Sequence, residues 1–95
     1  MNINNIDNNT AEILLILQEE CNEVSQAISK CFRFGFENTK PGDIQTNVEH
    51  LAEELGDLLC MIKLLKDREV VNSDIISEAQ QNKLNKLRCW SNIFS

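Results

Sequence analysis

The chain has 95 residues, enough for one domain whose core is expected to be modest and to be completed by a partner subunit, because short chains bury a smaller share of their surface. Nine Lys and Arg stand against fifteen Asp and Glu, which argues against duplex nucleic acid as a partner, since that needs a broad basic footprint. The start "MNINNIDNNT" lacks the basic and apolar parts of a signal peptide, and the longest apolar run, "LLCMIKLL", is broken by Lys63 and too short to span a bilayer, so a soluble, cytoplasmic protein without a membrane partner is expected.

Residues 1–9 read as a flexible Asn-rich lead. Residues 11–33 then carry Leu14, Leu17, Cys21, Val24, Ile28 and Cys31 at the 3,4,3,4,3 spacing of an amphipathic helix, with Asn9 or Thr10 as its cap. "FGFENTKPGDIQTN" contains Gly35, Pro41 and Gly42, which break the periodicity and mark a connection of about a dozen residues, a length that is often functional.

Thr46 and Glu49 form a capping box that starts a second helix through Val48, Leu51, Leu55, Leu58, Ile62 and Leu65. From Leu58 to Leu65 this helix is apolar nearly all round, which calls for burial on two sides and hence for a homo-oligomer. Ser73 is placed to cap a third helix ending near Trp90. No segment alternates as a strand does, so the fold class is all-α, an antiparallel helical bundle over residues 1–95. Cys21, Cys31, Cys60 and Cys89 contain no C-x-x-C pair, and with one His in the chain they read as reduced, mostly packing side chains.

Two stretches repeat each other. "LQEECNEV", Leu17 to Val24, aligns with "LAEELGDL", Leu51 to Leu58, so that Glu19 and Glu20 match Glu53 and Glu54, and Glu23 matches Asp57. At about 100° per residue, Glu20 and Glu54 lie about 60° from the leucine that opens each stretch, inside the apolar sector; Glu23 and Asp57 lie at its edge, and Glu19 and Glu53 beyond it. If the helices pack antiparallel, four carboxylates converge in one groove, where mutual repulsion demands protons or a cation. Oxygen donors without His or Cys suit a hard ion, Mg²⁺ or Mn²⁺ as substitute. A di-iron carboxylate bundle would need Glu-x-x-His twice, and His50 alone, in the order His-x-x-Glu, does not supply it. The bland alternative is a pair of solvated acidic faces.

A groove holding Mg²⁺ commonly serves phosphate oxygens. On the third helix Lys83 and Lys86 fall in the middle of the apolar face of Ile75, Ile76, Ala79 and Trp90, where they either snorkel or meet an anion, while Arg88 falls on the opposite side. "KCFRFGF" places Phe32, Phe34 and Phe36 around Arg33, which either plug the end of the bundle or stack on a base; Trp90 has the same two readings.

"EECNE", Glu19 to Glu23, followed by "ELGD", Glu54 to Asp57, resembles the EExxE and ExxD pair of the MazG-like all-α nucleoside triphosphate pyrophosphohydrolases. The resemblance continues through "QAISKCFRFG", "ELGDLLCMIKLL" and "NKLNKLRCW", covers about three quarters of the chain, and is to small MazG-like proteins found in phages and bacteria. It implies hydrolysis of a nucleoside triphosphate to the monophosphate and pyrophosphate, with Glu20, Glu23, Glu54 and Asp57 as Mg²⁺ ligands. It further implies that Glu19 or Glu53 serves as the catalytic group that orients or deprotonates water, and that Lys83, Lys86 and Arg88 hold the phosphates. Members of the family assemble as dimers or tetramers. The additional acidic motifs of the dimeric dUTPase branch are missing from this chain. A nucleotide-sensing module with the same fold and no turnover is the alternative.

Overall fold

The computed structural model describes residues 5–95, and the described residues form an all-α fold of three helices: α1, Asn8–Phe34; α2, Asn47–Asp67; and α3, Ser73–Trp90. The expected flexible lead falls in part on residues 1–4, which lie outside the described residues. No described helix is long and apolar enough to cross a membrane. The chain divides into two compact units, Met1–Leu65 and Lys66–Ser95.

In the first unit α1 begins earlier than its periodicity suggests. The cap is Asp7, not Asn9 or Thr10: its Oδ1 accepts from Thr10 N at 2.8 Å and its Oδ2 accepts from the Thr10 hydroxyl at 3.0 Å. Asp7 thereby satisfies an amide that the first helical turn leaves without a partner, and Thr10, though buried, has its hydroxyl paired. The helix stops at Gly35, whose φ of 90° is a conformation that glycine adopts without Cβ strain, and the Gly35 N–H closes the last turn on Cys31 O at 2.9 Å.

The connection 35–46 is held by hydrogen bonds despite its length. Asn47 Nδ2 donates to Gly35 O at 2.9 Å, Asn47 N to Asn38 O at 2.9 Å and Val48 N to Phe36 O at 3.0 Å, while the Asn38 amide reaches back to Phe34 O. Lys40, Pro41, Gly42 and Asp43 make a tight turn closed by Asp43 N donating to Lys40 O at 2.9 Å; Pro at the second position and Gly42 at φ 83° at the third are what a type II turn requires. The capping box forms as expected: Thr46 N donates to Glu49 Oε1 at 2.9 Å, and Glu49 N donates to Thr46 Oγ1 at 3.2 Å.

The buried apolar side chains among the described residues are Ile13 and Ala27 of α1 and Met61 and Leu65 of α2. Ala27 is completely covered, and its single methyl allows close approach of a neighbouring element at that level. Fully burying a side chain such as Leu65 contributes about 1.5–3 kcal/mol, and with only these few the core is thin. The same helices leave apolar surface in solvent: Leu59 is 63% exposed and Leu15 52%. The cysteines are all free, as expected, but Cys21, Cys60 and Cys89 are exposed instead of packed. Stripe position gives Cys21 a direction; it does not provide a neighbour to cover it.

In the second unit α3 is capped by Asn72, one residue before the expected Ser73. Asn72 Oδ1 accepts from Asp74 N at 2.8 Å and from Ile75 N at 3.2 Å, two donors that the amide oxygen reaches from the residue just outside the helix. Ser91 ends α3, its N–H and its hydroxyl both donating to Leu87 O, at 2.9 and 2.7 Å.

Candidate metal centre

The two copies of the acidic motif meet. One carboxylate oxygen each from Glu20 on α1 and from Glu54 and Asp57 on α2 lie within 4.8 Å of one another. This follows from helical spacing. Glu54 and Asp57, three residues apart, share a face of α2, and the antiparallel return of the chain through the 35–46 connection brings that face to Glu20. Glu20 and Glu54 are half-buried and Asp57 is exposed, so all three carboxylates keep some contact with solvent.

Electrostatics mark Glu20 as the strained member. Its pKa is raised above the ordinary 4.5, first by burial, then by the negative charges of Asp57, Glu54, Glu23 and Glu19. All these causes penalise its anion, and a cation among the carboxylates would relieve the repulsive ones. Oxygens sharing one Mg²⁺ at 2.0–2.1 Å lie no more than about 4.2 Å apart, so a group within 4.8 Å needs only small side-chain rotations to converge on one ion. An all-carboxylate donor set suits a hard cation. The residues present fit a divalent metal.

The other expected site residues are distributed as follows. Glu23 is exposed; it acts on Glu20 through its charge but is outside the group of three. Glu19 and Glu53 are exposed beside their half-buried neighbours. At the end of α1, the Arg33 guanidinium lies over the Phe34 ring at 4.9 Å from its centroid, and both side chains line a cavity bounded by the 35–46 connection. Phe32 is 88% exposed and does not plug the bundle's end. Lys83, Lys86, Arg88 and Trp90 belong to the second unit. There Lys83 shares a shallow groove with Ile76, Ala79 and Leu84, Arg88 lies over the Phe94 ring at 5.6 Å, and Trp90 is 87% exposed.

Sequence reasoning passed over one contact. His50 Nε2 stands 3.2 Å from Glu54 Oε1, one turn along α2. The i,i+4 spacing was the available signal, and it is hidden when His50 is tested only as a metal ligand.

Comparison with curated proteins returned no match, and neither did comparison with solved structures. The family model for the MazG nucleotide pyrophosphohydrolase domain, by contrast, matches residues 8–88, a span that contains all three helices up to the last turn of α3. That family acts on nucleotides by pyrophosphohydrolysis and typically depends on a metal, in keeping with the carboxylates of Glu20, Glu54 and Asp57. With both acidic motifs in place and the match running through nearly the whole chain, this protein belongs to the MazG family.

Proposed function

We propose that the chain is a Mg²⁺-dependent hydrolase that converts a nucleoside or deoxynucleoside triphosphate to its monophosphate and pyrophosphate. The observation that carries this reading is the meeting of Glu20 with Glu54 and Asp57, residues drawn from both copies of the motif, within 4.8 Å. These three, with Glu23 as the fourth ligand, would hold Mg²⁺ or Mn²⁺. The bound ion supplies neutralisation of the phosphate oxygens and a more acidic water.

The chain's own residues do the rest. Glu19 or Glu53 accepts the proton of the water that adds across the α–β phosphoanhydride, as the bond to pyrophosphate breaks. Both are exposed and each is next in sequence to a half-buried carboxylate, Glu20 or Glu54, and the charge of Glu19 also bears on Glu20. Lys83, Lys86 and Arg88 neutralise the phosphate chain. Arg33 and Phe34, already stacked on each other, offer a platform for the base, with Phe32 and Trp90 as further aromatic surfaces.

Homo-oligomerisation, as a dimer or tetramer, accompanies this reading. It is supported by the apolar surface of α1 and α2, where Leu15, Leu55 and Leu59 are exposed on helices with a thin core. A cytoplasmic site of action, in a bacterium or in the host of a phage, agrees with a nucleotide substrate.

The test is pyrophosphate release from a panel of nucleoside triphosphates with Mg²⁺. Glu20→Gln and Asp57→Asn are expected to lose more than about 100-fold in turnover, beyond the 10–100-fold typical of changes in groups that merely support metal ligands. Glu23→Gln, outside the group of three, is expected to lose less. Full activity in both Glu20→Gln and Asp57→Asn removes the metal assignment.

A further inference from the structure

The end of α1, the 35–46 connection and the start of α2 border an open cavity of about 940 Å³, within the roughly 300–1,000 Å³ range of small-molecule sites. Its wall carries Lys30, Arg33 and Lys40 against one carboxylate, Asp43, in a chain whose net charge is −6. Asp43 Oδ1 is engaged by Gln45 N at 3.0 Å, within the connection itself. None of the three cations forms an ion pair with a described carboxylate. Lys30 and Arg33 are three residues apart and so project from one face of α1, and Arg33 is steadied by its stacking on Phe34. Three gathered cations facing a single carboxylate repel one another, and an anion in the cavity lowers that cost.

The cavity and the carboxylate cluster are neighbours along α2. His50 lies on its wall and stands 3.2 Å from Glu54, one helical turn further along α2, so an anion in the cavity would lie next to the candidate metal centre.

We propose that this cavity is a polyphosphate subsite in which Lys30, Lys40 and the N–H edge of Arg33, whose face stays on Phe34, hold phosphate oxygens. The identity of the polyphosphate as part of a nucleotide rests on the function proposed above; the anion site itself does not. Two of the three cations come from the last turns of α1, ahead of the acidic half of the motif on α2, and the third precedes Pro41 in the connection.

The experiment is calorimetric titration of inorganic pyrophosphate into the full chain in EDTA, where the carboxylates hold no divalent ion and no hydrolysis occurs. Wild type is expected to bind. The Lys30→Ala/Arg33→Ala double variant is expected to bind at least about tenfold more weakly, because two charge-assisted contacts are gone. Arg33→Lys, which keeps the charge, is expected to lose less. Lys30, Arg33 and Lys40 are exposed, so the fold should persist; if the double variant melts early, Lys40→Ala alone serves, with an expected loss of several-fold. Failure of wild type to bind pyrophosphate, or unchanged affinity in the cavity variants, overturns the proposal. Pyrophosphate binding without turnover on the triphosphate panel would remove the enzymatic reading and leave this site standing; turnover without such binding would remove this site alone.

Discussion

His50 Nε2 stands 3.2 Å from Glu54 Oε1, which puts the chain's one imidazole against a carboxylate of the candidate metal centre. Glu54's side chain is only 15% exposed, so its few neighbours decide where its oxygens point.

If His50 fixes that orientation, His50→Ala weakens Mg²⁺ binding by about tenfold, the low end of what loss of a supporting group costs a metal site, since His50 is partly solvated. The readout is the Mg²⁺ concentration needed to raise the melting temperature, which follows the dissociation constant by linkage. His50→Gln, which keeps an N–H near the same place, is expected to recover part of the loss. Identical Mg²⁺ midpoints for wild type and His50→Ala would show that the contact is incidental.

The pH profile in EDTA has two limbs of opposite sign. Glu20 has its pKa raised above 4.5, so its folded form holds a proton more tightly than its unfolded form. Its contribution to stability is complete below the ordinary value and is lost as pH rises through the raised one. Glu49 is the reverse: the Thr46 backbone N–H, and then the Thr46 hydroxyl, lower its pKa, so its contribution is complete above 4.5 and is lost as pH falls through the lowered value. Glu20→Gln is therefore expected to flatten the decline above pH 4.5, and Glu49→Gln the decline below it, in melting temperatures recorded across that range. Added Mg²⁺ should stabilise wild type increasingly as pH rises, because cation and proton compete for Glu20.

Thr46 closes the capping box in both directions, and Thr46→Ala removes the hydroxyl that accepts from Glu49 N. The expected cost is about 1 kcal/mol of folding stability, read from a shift in the urea midpoint with unchanged slope. A change well below about 0.5 kcal/mol would mean that the packing of the connection, and not the cap, holds the start of α2.

Helical periodicity is what makes the candidate metal centre legible in the sequence. An angle of about 100° per residue assigns Glu20 and Glu54 to the inner face, and both are half-buried in one cluster. The same angles put Asp57 and Glu23 alike at the edge, yet Asp57 is within the group of three and Glu23 is not. Angle determines facing, whereas distance depends on where the partner helix runs. Caps are legible only to within a residue or two: in "NIDNNT" the Asp, Asn and Thr side chains can all accept from a helix amide, and Asp7 does so because α1 winds back to Asn8. The cationic cavity is not legible, because Lys30, Arg33, Lys40 and His50 are brought together by the path of the connection, a turn-by-turn matter for which periodicity carries no information.

The hydrogen bonds from Asn47 and Val48 to Gly35, Phe36 and Asn38 act as a phase lock between α1 and α2. Deleting or inserting one residue near the start of α2 would turn everything after it by about 100° and slide it by about 1.5 Å, enough to take Glu54 and Asp57 away from Glu20 while leaving every carboxylate in the chain. The 35–46 segment can therefore change its side chains more freely than the timing it imposes on the helix that follows: what it hands to the candidate metal centre is a rotation, not an atom.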